Sequence, residues 1–285
     1  MLIALSETVF PWPIWSQGKG RPYPYGFYAF VIYTVVGMVY VSVMIIIGYL
    51  FLRASKTLKA KKFYLLGFSF LLVGIFDTLH IIGHTLFFLF NDSRTPIRVN
   101  GIVIYFYPLT TSLAIGTIIL YFTLLYVFGA IETRNKLCPI DKVVILMGIV
   151  GITIALNPYN WWHMIAPENA LNTMPITGSL ILLSGLVAIF SLCRYYRILA
   201  SKIAEDPISE IKLKLFFVGI ITLATTMILM IIHAFSTRMQ LYDLLLIATT
   251  LKLVLLIISA ISFYLSLIAP AITIMRILRK KVTKQ

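Results

Sequence analysis

The chain has 285 residues, 60% of them hydrophobic and 12% charged, with a mean hydropathy of +0.96. Soluble domains carry about a quarter charged residues, so an ordinary cytosolic globular protein and a long disordered segment are both excluded. Lys and Arg outnumber Asp and Glu by 24 to 10, a formal net charge of +14, and in so apolar a chain the placement of that charge decides its meaning.

A bilayer span needs about 20 mostly apolar residues. Residues 1–26 lack a basic start and hold Glu7, Pro11 and Pro13, so they read as an outer interfacial segment and not as a signal peptide. Residues 27–275 read as an all-α, seven-transmembrane-helix bundle. Its spans are expected at about 27–52, 63–90, 102–131, 143–162, 176–193, 215–235 and 244–275. A polar loop, Asn91 to Gly101, separates the second and third spans. The fourth is short and extends into the interface through Tyr159, Trp161 and Trp162. The segment Asp206-Pro207-Ile208-Ser209-Glu210 reads as a surface helix start, and 276–285 as a basic tail. No internal repeat supports an inverted-repeat transporter.

Eighteen basic residues collect on one side: Arg53 to Lys62, Arg134 to Lys142, Arg194 to Lys214 and Arg276 to Lys284. The other side holds five: Lys19, Arg21, Arg94, Arg98 and Arg238. The positive-inside rule then predicts an outer N-terminus and a cytoplasmic C-terminus, in the plasma membrane of a prokaryote. The four tryptophans, Trp12, Trp15, Trp161 and Trp162, fall on the predicted outer side, as interface anchors do. The basic rim orients the chain and attracts anionic lipid, so no nucleic-acid partner is needed. Cys138 and Cys193 fall at the predicted cytoplasmic face, where no structural disulfide is expected.

Ionisable groups within spans are costly and mark function by default. The second span carries Asp77, His80 and His84 at i, i+3 and i+7, which is one helical face. Lys252 lies about nine residues into the last span, roughly 13 Å deep, a depth matching Asp77. Tyr105 and Tyr107 of the third span and His233 of the sixth join them in the outer half, and His163 lies in an outer loop. Three readings stay open. Asp77 and Lys252 form a structural ion pair; or the group lines a sensing or ligand pocket open to the outside; or the histidines hold a metal or haem. His80 and His84, at i and i+4, are the metal candidates, and His84 with His233 the candidate axial pair for one haem. A Schiff-base lysine at Lys252 would need Asp77 as its counter-ion. No phosphate loop, nucleophile elbow or paired carboxylates appear, so no enzyme is expected.

The run Gly67-Phe68-Ser69-Phe70-Leu71-Leu72-Val73-Gly74-Ile75-Phe76-Asp77-Thr78-Leu79-His80 resembles the Asp-x-x-His signature of the third class of membrane-associated sensor (MASE) domains. Leu251-Lys252-Leu253-Val254-Leu255-Leu256 and Ser262-Phe263-Tyr264-Leu265 are similar to that family's last helix. The family's Gly-His before the lysine is absent, with Ala248-Thr249 in that neighbourhood. Ile82-Gly83-His84-Thr85 stands where the family has an aromatic-Lys-Gly-Met run. The resemblance implies a seven- or eight-helix sensory module that precedes a histidine kinase or cyclic-di-nucleotide signalling domain. The chain ends at Gln285, so the output is expected on a partner protein. The expected function is therefore a multi-pass sensory or ligand-binding module using Asp77, His80, His84, Tyr105, Tyr107, His233 and Lys252. The alternatives are a redox subunit binding haem or quinone, and a small transporter.

Overall fold

The computed structural model describes residues 26–60, 62–90, 96–99, 102–134, 136–156, 174–202, 207–239 and 242–269. The side chains of His84, Tyr105, Tyr107 and His233, and all of His163, lie outside that description, as do residues 1–25 and the tail from 270. Seven helices are present among the described residues: α1 (Gly26–Thr57), α2 (Lys62–Phe90), α3 (Phe106–Arg134), α4 (Pro139–Ala155), α5 (Met174–Lys202), α6 (Pro207–Met239) and α7 (Tyr242–Leu267). A hairpin of β1 (Pro96–Val99) and β2 (Ile102–Tyr105) precedes α3. All the helices except α4 are long and apolar enough to cross a membrane. Large apolar side chains such as Val35, Ile46, Phe190 and Ile221 point outward, as lipid-facing residues do.

Side-chain contacts fix the direction of each helix. Tyr40 meets Asp77 while a Cβ at Gly48 would meet Leu71, so α1 and α2 are antiparallel. That Cβ would fall 2.7 Å from the Leu71 amide nitrogen and 2.9 Å from the Gly67 carbonyl oxygen, so only glycine permits this approach. Phe63 faces Phe128 and Phe70 faces Tyr121, making α3 antiparallel to α2. Ser191 donates to the Tyr126 carbonyl at 3.0 Å, Phe128 meets Tyr195, and Ile119 lies level with Leu180; α5 is therefore parallel to α3. α4 runs back between them, with Asp141 near Tyr126 and Leu156 near Gly116. α6 reverses against α5, and α7 reverses against α6, where Ser259 donates to the Gly219 carbonyl at 3.0 Å. α7 then packs parallel to α1.

The six long helices thus close a ring in the order α1, α2, α3, α5, α6, α7, with α4 outside against α3 and α5. One aromatic residue or more from each long helix makes a closed collar near the Lys62 end. Phe51 meets Phe63 (6.1 Å between ring centroids), Phe63 meets Phe128 (6.5 Å), and Phe128 meets Tyr195 (5.8 Å). Tyr195 meets Phe216 (5.5 Å), Phe216 meets Phe263 (5.4 Å), and Tyr264 returns to Phe51 (6.3 Å). Each such pair adds about 0.5–1.5 kcal/mol beyond the area it buries.

Three sequence expectations change. The run Ile102-Val103-Ile104 is not the start of the third span; it pairs antiparallel with Pro96–Val99, Val99 opposite Ile102. The two residues between are Asn100-Gly101, the strongest short hairpin signal, and the neighbouring β-branched residues favour a strand. The fourth segment is a helix of 17 residues, about 26 Å long, which begins earlier and ends sooner than 143–162. Its end precedes Asn157-Pro158, and a residue before proline avoids helical geometry. Among the described residues six helices, not seven, therefore have span length. The last helix also ends at Leu267 instead of 275, closed by the Ala269 amide donating to the Tyr264 carbonyl at 3.1 Å. At the other predicted boundary, α6 does begin at Pro207, where a first-turn proline is pre-set for a helix.

Candidate functional site

Across the ring from the aromatic collar lies a polar half. Tyr40, Asp77 and Lys252 are each about 16–21 Å beyond the collar at helical rise. The Tyr40 hydroxyl, on a residue 3% exposed, donates to Asp77 Oδ2 at 2.8 Å. Lys252 is partly buried on α7 and within electrostatic reach of Asp77. The two do not form a contact ion pair; the contact pairs among the described residues are Lys62–Glu132, Arg134–Asp141 and Lys214–Glu210. One turn beyond Asp77, His80 Nδ1 lies 3.4 Å from Thr111 Oγ1 on α3. Helices α1, α2, α3 and α7 thus each bring a polar side chain to this half.

Three buried hydroxyls in the same half have no partner among the described residues: Thr34 and Ser112, and that of Tyr121 nearer the collar. Native proteins pair nearly all such groups with protein atoms or with water. Tyr40 and Tyr121 line a small central cavity with Met44, Val73, Met230 and Leu256. Its space of about 10 Å³ is close to the minimum for one water.

Of the sequence candidates, the structure brings Asp77, His80 and Lys252 into one half of the ring. His84, Tyr105, Tyr107 and His233 contribute helix or strand backbone, and their side chains lie outside the described residues. No group of three metal-ligating side chains converges among the described residues. Sequence reasoning did not single out Tyr40 or Thr111, because tyrosine recurs in most spans and threonine in all of them, and neither carries a charge.

It also passed over two clusters at the Lys62 end. Glu132, its side chain 8% exposed, accepts Lys62 Nζ at 2.8 and 2.9 Å and a hydrogen bond from Tyr195. That carboxylate joins α2, α3 and α5. Asp141, its side chain fully buried, accepts the Tyr126 hydroxyl at 2.5 Å, Arg134 at 2.9 Å and the Cys138 amide at 2.6 Å. Burial opposes its charge, but the Tyr126 hydroxyl, the Cys138 amide and the Arg134 guanidinium outweigh it and hold the carboxyl below its ordinary pKa. The signal was present in Cys138-Pro139-Ile140-Asp141: proline at the first helical position and an acid at the third, poised to accept an amide at the helix start.

No family model, curated protein or solved structure matches this chain.

Proposed function

We propose that this chain is a multi-pass sensory module of a prokaryotic plasma membrane, with its polar half facing outward. A small polar ligand or a proton enters that half and changes the pairing of Asp77 with Lys252. The α2 and α7 helices shift against each other, and a signalling partner reads the shift. The observation that carries this reading is the divided charge pair. Asp77 is held by Tyr40, while Lys252 feels its charge without touching it. A pair held apart inside an apolar bundle is poised to be bridged or closed. The resemblance to the third MASE class points the same way.

The aromatic collar separates the polar half from the Lys62 end of the bundle, with Phe51, Phe128, Phe216 and Phe263 at most 2% exposed. Seven crossings and an outer N-terminus are part of the proposal. The support for the crossings is the parallel course of α3 and α5, because the chain must cross back between two parallel neighbours, and α4 is the segment between them; the support for the orientation is the placement of the basic residues.

Spin labels at the Lys62 ends of α1 and α7 test this reading in the purified protein. Asp77→Asn alone should change their separation, and Asp77→Asn combined with Lys252→Met should restore it. An unchanged separation in both variants would remove the sensor reading. A Soret band lost in His84→Ala would replace it with the redox one.

A further inference from the structure

A void bounded by described residues lies outside the ring, between α4 and α5. Val144, Met147 and Gly148 of α4 and Leu180, Leu183 and Val187 of α5 line it, and it holds about 80 Å³. It is a crevice on the lipid side of the bundle. Gly148 leaves its floor without a side chain. The two hydroxyls at its walls have their protons committed within their own helices: Thr123 donates to the Ile119 carbonyl at 2.8 Å, and Ser184 to the Ile181 carbonyl at 2.9 Å. The lining is therefore predominantly apolar.

The crevice stripe on α5 continues toward the basic rim. Leu183, Val187, Phe190 and Arg194 follow one another at helical spacing on the same face. Phe190, 72% exposed, stands at the mouth. Arg194 is exposed two turns beyond Val187, about 10 Å along the axis. Exposed Arg197 adds a further cation at the same rim, whereas exposed Lys142 projects from the side of α4 away from Val144, Met147 and Gly148. The acids described at this rim are committed elsewhere: Glu132 to Lys62, Asp141 to Arg134 and Glu210 to Lys214. The cations at the crevice mouth therefore have no protein counter-charge among the described residues.

We propose that this crevice binds an anionic phospholipid, part of one acyl chain in the apolar slot and the phosphate at Arg194. An apolar slot ending in unpaired cations at interface depth is complementary to a lipid that carries a negative headgroup above a hydrocarbon tail. The site involves none of the residues of the polar half, so it stands or falls apart from the sensory reading.

Native mass spectrometry of the full chain released from nanodiscs tests it, with phosphatidylglycerol and phosphatidylcholine of equal chain length supplied together. Phosphatidylglycerol should be retained in preference. Arg194→Ala should reduce that preference about five-fold, the contribution of one basic side chain at a phosphate, and Arg194→Lys should restore most of it. Leu183→Trp fills the slot from an exposed position and should lower retention of both lipids while the helical circular dichroism is kept. Equal retention of the two lipids overturns the proposal, as does an Arg194→Ala protein with unchanged preference. A dimer mass that disappears in Leu183→Trp would also overturn it, by assigning the crevice to a second copy of the chain.

Discussion

The Tyr40 hydroxyl and the Asp77 carboxylate are joined at 2.8 Å across the α1–α2 interface, within an otherwise apolar contact. A hydrogen bond to a charged acceptor contributes about 1.5–3 kcal/mol. Tyr40→Phe keeps the ring and removes the donor, so it should lower stability by about that amount, read by thermal unfolding in detergent. An unfolding temperature equal to that of the parent protein would show that the bond contributes nothing there.

Asp141 supplies a pH-dependent contribution at the opposite end of the bundle. Its carboxyl is held below the ordinary value, so the unfolded chain takes up the proton first as pH falls. The stabilisation is fully present above about pH 4 and is lost as pH falls through the lower folded-state value. Asp141→Asn should remove this part of the acid dependence. It should also cost about 2–3 kcal/mol, below the cost of breaking a fully buried pair, because Arg134 is 25% exposed and recovers some hydration. Unfolding midpoints of the two proteins between pH 3 and pH 7, converging at the acid end by about that rule, are the check.

Lys59 is left-handed, with φ of 51°. It sits where α1 ends, and the Ala60 amide donates back to the Ser55 carbonyl at 3.0 Å. This is a helix stop in which glycine is usual. Lys59→Gly should raise stability by roughly 0.5–1 kcal/mol, since the side chain is exposed and makes no ion pair among the described residues. A fall in the unfolding midpoint would mean that the lysine has a role at the rim that outweighs its backbone strain.

The parallel course of α3 and α5 makes a topological prediction. Alkaline phosphatase fused within 157–173 should be active outside the cytoplasm, and a fusion within 134–138 inactive. Activity at both positions, or at neither, would mean that α4 does not cross.

Much of the architecture was legible because the span signal is local. Apolar runs of bilayer length and their basic ends can be read one segment at a time, and Asp77 and Lys252 stood out as charges within them. Tyr40 and Thr111 could not be found that way, since their meaning depends on what faces them across a helix pair. Spans do not encode the order of helices in a ring or their rotation, so the divided state of the Asp77–Lys252 pair was beyond the sequence. The hairpin was a different matter. Asn100-Gly101 announced it, but the apolar run after it was absorbed into a span by hydropathy alone. Glu132 and Asp141 were passed over because acids at span ends look like ordinary rim charges until their burial is known.

The aromatic collar has a mechanical consequence. Six helices clamped at one level act as levers about a shared fulcrum, so a helix pushed outward in the Asp77 half swings inward beyond Phe51 and Phe63. The arm on the polar side is about 16–21 Å and the arm beyond the collar is only a turn or two. Displacements therefore emerge reduced in amplitude and reversed in sense, with leverage gained in proportion. A small rearrangement around Lys252 would reach the rim as a short, forceful stroke at the Leu267 end of α7.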